Sequence, residues 1–301
     1  MSTINTGSHP KLLWPGIKRV WGLEYKRHEP IWPKMFEVLT SDQAYEDDVE
    51  VVGFGLMSVK GQGGGITYDT SQQGYVSRYS HLTYALGYAV TMEELDDNLY
   101  EKVSLKRATR LARSVYETEE IVHANVFNRA FNSSYAGGDG KELCATDHPT
   151  VSGNQSNELS TAADLSEASI EDLVTQMRQA KDSRGIMFQN KPRTLIVPVQ
   201  LAFEAGRILG STLQPGTANN DINVLRQDRI IPEMISSPYL TDADAWFIRT
   251  DCSEGLTHYT RKATTFDTDS DFDTKNLKAS AIARWSQGWS NWRGMYASPG
   301  A

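Results

Sequence analysis

Between Tyr88 and Ala136 the chain contains neither glycine nor proline, and that uninterrupted stretch limits the shapes the whole molecule can take. Thr91-Met92-Glu93-Glu94 reads as a capping box that starts a helix, with Glu94 three residues after the capping hydroxyl. Leu95, Leu99, Val103, Leu111, Val115, Val122 and Val126 then recur at helical spacing and mark one apolar face. Lys102, Arg107, Arg110, Glu117 and Glu120 are left for the wet side. One helix from Met92 to Asn132 would be ~60 Å long at ~1.5 Å per residue. A compact ball of 301 residues is only about 50 Å across. Either the helix breaks without an evident breaker, or the subunit is elongated.

Two other segments expose more than one subunit can bury. Val49 to Lys60 reads as a strand, Gly61-Gln62-Gly63-Gly64-Gly65 as a flexible tip, and Val76, Leu82, Tyr84, Leu86, Tyr88 and Val90 as the alternating pattern of a returning strand. Arms of roughly twelve residues reach ~40 Å, and a two-stranded ribbon of that length is marginal in water unless it lies on a neighbour. The glycines do not form a phosphate loop, because GxxxxGK[ST] is absent and Lys60 precedes them. Residues 1–36 hold four of the eleven prolines (Pro10, Pro15, Pro30, Pro33) together with Trp14, Trp21 and Trp32. Proline pushes the preceding residue towards extended geometry, so this segment reads as an extended arm burying its indoles against another surface, or as an irregular segment on its own domain.

Farther along, a capped helix is expected from Asp164–Ser169 to about Ser183, a buried strand at Arg193–Pro198, and a helix from Gln200 to Leu209 ended by Gly210. Residues 210–223 have the composition of a surface loop. Trp246-Phe247-Ile248 and Leu256–Thr260 read as strands of one small sheet, and the tail carries Trp285, Trp289, Trp292 and Tyr296.

Chemistry is sparse. Cys144 and Cys252 lie far apart with no CxxC, so neither a disulfide framework nor a four-cysteine zinc site can form, and both read as buried small side chains. Cys144-Ala145-Thr146-Asp147-His148 is the best nucleophile arrangement, but catalytic partners generally come from distant segments, and a turn before His148-Pro149 explains it. The histidines are scattered with no HxxxH or HxH pair, and the alternating Asp267, Asp269, Asp271 and Asp273 lack the glycine and glutamate of a calcium loop. No metal or other cofactor is expected. A net charge of −8 argues against a surface that grips phosphates. No apolar run is long enough for a membrane span, no signal-peptide pattern is present, and the polypeptide is expected to be cytosolic when made.

The arm, hairpin and over-long helix together point to a self-assembling part, since identical subunits exchanging arms head to tail close into rings and shells. Residue by residue, the chain resembles the Mu-like branch of tailed-bacteriophage major capsid proteins. The resemblance is carried by Leu13-Trp14-Pro15-Gly16, Gly53-Phe54-Gly55-Leu56, Gln73-Gly74-Tyr75-Val76, Arg78-Tyr79 and Asp97-Asn98-Leu99-Tyr100. It continues through Asn128-Arg129-Ala130-Phe131-Asn132, Gly137-Gly138-Asp139-Gly140, His148-Pro149-Thr150, the run 213–220, Asp244-Ala245-Trp246-Phe247, Gly288-Trp289 and Trp292-Arg293-Gly294.

The resemblance implies an α+β, Hong Kong 97-like capsid fold with an N-terminal arm (1–47), an extended β-hairpin loop (48–80) and a peripheral domain with the long spine helix (81–155). An axial domain (156–255) and return strands to the peripheral domain (256–301) complete it. It implies a non-enzymatic major capsid protein of the virion, assembled in the bacterial host cytoplasm into hexamers and pentamers of an icosahedral shell around double-stranded DNA, without sequence-specific binding. Its partners would be other copies of itself, a portal protein and a scaffold or decoration protein, with no membrane. Because no cleavable scaffolding segment precedes the arm, assembly would need a separate scaffold or none. Trp14, Trp21, Lys60, Tyr68, Tyr75 and Arg78 are the candidate inter-subunit contacts. Some relatives join a hairpin lysine to an asparagine with help from a glutamate. Lys60 is the only lysine in the hairpin here, but neither partner is matched by motif, so no crosslink is expected. The rival readings are an encapsulin-like protein compartment and a cytosolic cysteine-dependent enzyme.

Overall fold

The computed structural model describes residues 14–91, 93–94, 100–214, 221–271, 273–274 and 276–301. Half of the expected capping box is present: the Glu94 amide donates to Thr91 Oγ1 at 3.3 Å, while the Glu94 carboxylate accepts from Arg107 at 2.9 Å. Residues 92 and 95–99 lie outside the described set, and α3 runs from Tyr100 to Asn128. Its 29 residues correspond to ~44 Å. The helix ends before Asn132, and at its end the Asn128 side-chain amide donates to Tyr239 O at 3.1 Å and accepts from the Thr241 amide at 3.0 Å.

This helix serves two cores. Ala108, Leu111 and Ala112 pack with Ile17 and Trp21 of α1 (Trp14–Tyr25) and with Leu277, Ala279 and Ala281. At the other end Phe127 and Ala130 join Met35 and Phe36 beside a second sheet, through Ile196, Phe247 and Met295. The buried face differs from the expected valine stripe: Val122 and Val126 are half-buried, and Glu119, Glu120 and His123 lie inside. Glu120, expected on the wet side, accepts the Ile31 amide at 2.6 Å beside α2 (Trp32–Met35).

Within the described part of the proline-rich segment, residues 14–25 and 32–35 are helical rather than extended. Pro15 falls in the first turn of α1 and Pro33 at the start of α2, positions where a missing N–H costs nothing because the helix has no acceptor for it.

Two four-stranded sheets lie on either side of this junction. The first has the order β1-β8-β9-β4, formed by Glu37–Thr40, Leu256–Ser270, Leu277–Trp289 and Leu82–Val90; β1 is parallel to β8, and the others pair antiparallel. The second has the order β10-β7-β5-β6, formed by Met295–Ser298, Trp246–Thr250, Pro192–Pro198 and Glu233–Ser237. Trp246–Ile248 and Leu256–Thr260 thus belong to different sheets, correcting the single sheet read from their proximity. The two boundary strands also depart from the sequence division: β1 joins the first sheet although it falls in the arm, and β10 ends in the second sheet rather than returning to the first.

The second sheet buries its other face under α4 (Glu167–Arg178) and α5 (Ala202–Gly210) through Ile170, Leu173, Met177, Ala205 and Ile208. Ser166 caps α4 in a reciprocal box with Ser169. α4 ends at Arg178, short of Ser183, because residues 180–188 fold back in a turn with Phe188 N–H bonded to Ala180 O. A short α6 (Val224–Gln227) adds Leu225 to the same core.

The hairpin is shorter than its hydrophobicity implied. β2 (Tyr45–Val52) pairs with β3 (Gln72–Ser80), whereas β4 leaves the hairpin and joins β9. The chain switches sheets at His81, whose buried ring contacts Ser41 Oγ at 3.0 Å and Ser286 Oγ at 2.9 Å. Residues 53–71 form no strand.

At the junction, His123 stacks on Trp32 with centroids 4.2 Å apart and meets His258 of β8. His123 Nδ1–H donates to the Glu119 carbonyl at 2.6 Å, so its Nε2 accepts from His258 Nδ1–H at 2.8 Å, and the Thr260 hydroxyl closes the chain on His258 Nε2 at 2.9 Å. Both rings are neutral in this arrangement. Burial holds His123 down at about 4; burial, then the neighbouring His123, holds His258 at about 3. The unfolded chain takes up these protons near pH ~6.5. The pair's stabilisation is therefore complete above that pH and is lost as pH falls towards 4. Glu119 and Glu120, raised by burial, act in the opposite sense and lose stability as pH rises through their folded values. Comparing urea unfolding at about pH 7.5 and pH 5 isolates the histidine contribution: the midpoint of wild type should fall more than that of His258→Gln, which takes no proton at that position.

Candidate subunit-contact surface

The hairpin stem is built from cross-strand charge. Arg78 Nε and Nη2 donate to the two oxygens of Asp47, each at 2.7 Å, and the guanidinium lies 4.4 Å from the Tyr45 ring centroid. Near the far end of the stem, pairing shifts between Val49↔Val76 and Val51↔Gln73, so Gly74 and Tyr75 together oppose Glu50. At position 74 a Cβ would overlap the Glu50 carboxylate, which explains glycine there.

Beyond the stem, polar contacts shape residues 53–71. Asp69 accepts the Gly55 amide at 2.7 Å and its own neighbour Thr70 N–H at 2.8 Å. Bonding to Arg184, then to those two amides, holds its carboxyl down at about 2. The Ser58 and Thr67 hydroxyls meet across the loop at 3.1 Å, and Gly64 N–H closes a turn on Gly61 O. The apolar side chains point outward: Met57 and Val59 are 100% exposed, Tyr68 90% and Leu56 81%. A concentration of exposed apolar groups on one loop marks a contact surface.

The residues singled out from sequence divide between this loop and other places. Lys60 and Tyr68 lie on the exposed loop. Tyr75 sits at the stem, half-buried, with a phenol that burial raises above its usual range. Arg78 is a clasp within the stem rather than a free group. Trp21 is only 8% exposed, stacked between Tyr25 and Phe266 of its own chain at 5.0 and 5.2 Å, so the indole is already buried without a neighbour. Trp14 opens α1, and its side chain lies outside the described residues. Sequence reasoning missed Met57 and Ile66, and placed Phe54, Leu56 and Val59 in a strand. The usable signal was the glycines at 53, 55, 61 and 63–65, which deny the segment a continuous strand.

The stem is seated on a close-packed loop after α3. A Cβ at Gly138 would lie 2.6 Å from Ser77 Oγ and 2.8 Å from Tyr75 Cδ2, and one at Gly137 would lie 2.6 Å from Trp289 Nε1. Two residues with side chains could not hold the hairpin root at this distance. Tyr79 locks the same region through a 2.6 Å bond between its phenol and Ser290 Oγ.

The Cys144 segment is structural. His148 does not face the thiol: its Nδ1 bonds Asp139 Oδ2 at 2.6 Å, its Nε2 bonds Asn157 Oδ1 at 3.0 Å, and its ring stacks on Trp292 at 4.3 Å. Asp147 instead pairs with Lys141. Burial, then the charges of Glu158 and Glu142, pushes the Cys144 thiol well up, the wrong direction for a nucleophile. Cys252, expected to be buried, is half-buried, and burial pushes its thiol up to about 12. No group of three or more potential metal ligands occurs among the described residues.

Comparison with known proteins bears on the fold and on the family. A search of curated proteins finds no match. Among solved structures, the capsid of the cyanophage P-SCSP1u aligns over 90% of this chain and 88% of its own, with a TM-score of 0.55 at 8% identity. The procapsid of bacteriophage JBD30 covers 98% and 76% with a TM-score of 0.52 at 13% identity. The virus-like particle from Pyrococcus furiosus covers 95% and 98% with a TM-score of 0.54 at 10% identity. At such identities the likeness speaks for the fold, which is the mixed helix-and-sheet, Hong Kong 97-like one. Residues 74–298 match the sequence profile of a family described as phage capsid protein. That match takes in the spine helix, the second sheet, the first sheet apart from β1 and most of the stem strand β3, and with it the chain belongs to the phage capsid protein family.

Proposed function

We propose that this protein is the major capsid subunit of a tailed phage of the Mu-like branch, building hexamers and pentamers of an icosahedral shell that encloses double-stranded DNA. The observation that carries the reading is the loop 53–71, whose Met57, Val59 and Tyr68 the chain leaves in water although its own polar groups fix the loop's shape. A neighbouring copy supplies the cover. An apolar recess of about 190 Å³ between β4, β9 and α3, lined by Leu86, Val115, Ala281 and Trp285, has the matching chemistry. In this reading the β1-β8-β9-β4 sheet with α3 is the peripheral domain, and the second sheet with α4 and α5 is the axial domain. Lys60 and Tyr68 are the contact residues retained on the loop, Tyr75 and Arg78 set the stem, and Trp14 remains a candidate contact of the arm. Trp21 contributes inside its own subunit.

The excess of eight negative charges per copy favours an inner wall that does not grip the genome. Portal, scaffold or decoration proteins would meet the shell from outside this chain, and assembly would take place in the bacterial host cytoplasm.

The test replaces residues 54–70 by a short Gly-Ser turn. The stem, both sheets and the spine helix bury their own faces, so far-ultraviolet circular dichroism per residue should stay near wild type, while electron micrographs show loss of closed particles. Full-length protein should sediment as capsomers, shells or tubes, and a stable monomer at micromolar concentration would refute the reading. Loss of folding with the loop would show that it belongs to the subunit's own core. The Cys144 thiol should be dispensable: Cys144→Ala should cost about 1 kcal/mol of stability, as small buried truncations do, with particle number and diameter unchanged in the same micrographs.

A further inference from the structure

The extended loop is tied to its own subunit by charge and hydrogen bonds, while its large apolar side chains stay mostly exposed. The tie lies on the turn that follows α4. Asp182 Oδ1 accepts the amides of Arg184 and Ile186 at 2.9 and 2.8 Å, and Gly185 adopts a φ of +87°, a left-handed conformation suited to glycine. This turn presents Ser183 and Arg184 side by side to the hairpin. The Ser183 hydroxyl donates to Glu50 Oε1 in the stem, where Arg293 Nη1 also approaches at 3.9 Å. Arg184 Nη1 pairs with Asp69, and Nη2 donates to Thr70 O at 3.0 Å. Asp69 is itself oriented by the Gly55 and Thr70 amides, so one carboxylate joins both limbs of the loop to the second sheet's domain.

We propose that Glu50, Asp69, Ser183 and Arg184 form a polar latch that holds the extended loop in one pose on its own subunit before a neighbouring copy covers it, and that the latch is released by salt. This deepens the shell-building reading and rests on it for the neighbour, though not for the latch. Two physical points carry the inference. An isolated exposed ion pair adds little, but a guanidinium that grips a carboxylate already fixed by two amides, and a backbone carbonyl as well, gains orientation at small entropic cost. Moreover, the holding contacts and the contact surface differ in kind: the former are screened by ions, while burial of Met57, Val59 and Tyr68 is not. Salt therefore loosens the loop without weakening the apolar contact it makes later.

Hydrogen exchange on the unassembled chain tests the latch apart from any shell. In Arg184→Ala, amides of residues 53–71 should exchange about tenfold faster than in wild type at low salt, with α3 and both sheets unchanged. Raising sodium chloride from ~0.05 to ~0.5 M should speed the same amides in wild type and leave the variant unaffected. The charge exchange Asp69→Arg with Arg184→Asp should restore at least part of the protection, which a general defect in folding would not allow. Asp69→Asn supplies a milder variant should Arg184→Ala fail to fold. Unchanged loop exchange in a folded Arg184→Ala or Asp69→Asn variant, or salt-independent exchange in wild type, would overturn the latch. Absence of particles from wild type would instead count against the shell-building reading and leave the exchange result standing.

Discussion

A single helix that contributes to two separate cores is the constraint on which the other elements depend. Its first half needs α1 and the β8–β9 sheet to cover Ala108, Leu111 and Ala112, and its last turn needs the second sheet to cover Phe127, with Ala130 just beyond its end in the same core. Small residues in the first half let α1 approach closely. At the far end, Phe127 meets Phe36 and Phe247 edge-on at 5.9 and 5.4 Å, an arrangement aromatic rings favour. Because one rigid rod is common to both cores, neither sheet can shift far relative to the other without exposing part of the helix.

The chain after the helix makes this coupling specific. Asn157 is fully buried and uses its whole amide: Nδ2 faces the carbonyls of Leu143, Met295 and Trp292 at 2.7, 2.9 and 3.2 Å, while Oδ1 accepts from the Ala145 amide and His148 Nε2. The loop that leaves the spine helix is thereby fastened to the C-terminal tail. Buried polar groups tolerate few alternative packings, since each lost partner leaves a desolvated donor or acceptor. Asp139 extends the same network to the Gly137-Gly138 seat of the hairpin. A continuous series of contacts therefore runs from the tail to the root of the extended loop.

For a shell subunit this division of labour is coherent. The body is close-packed around apolar side chains with a limited set of buried polar groups, whereas the loop keeps its apolar groups outside and its polar groups for its own shape. What would be a liability in a monomer becomes a contact surface when copies are held close together. The Cys144 loop, which has the composition of a reactive site, serves instead as part of the joint, with the thiol among apolar neighbours and the imidazole turned to Asp139.

Local pattern was enough to read much of this from the sequence. The Thr91 cap, the absence of breakers through the spine helix, the strand at 193–198, the helix before Gly210 and the glycine-rich tip all depend on neighbours within a few residues, and family motifs spread along the chain pointed to the fold. What failed depended on partners far away. Trp246 and Leu256 were assigned to one sheet because they are near in sequence, but strand pairing is decided by which edges meet in space. Trp21, an arm contact by composition, is claimed by Phe266 of the same chain. Glu120 reads as a solvent residue until α2 places an unpaired amide against it. Ser183 and Arg184 have no local mark at all, because their partners Glu50 and Asp69 lie 133 and 115 residues away. The sequence by itself determined most of the helices, strands and turns, the arm helices and the strandless 53–60 segment excepted, since those choices follow from backbone propensity and apolar period; only the tertiary structure decided which surfaces meet, since burial and polar pairing are properties of the whole packed chain.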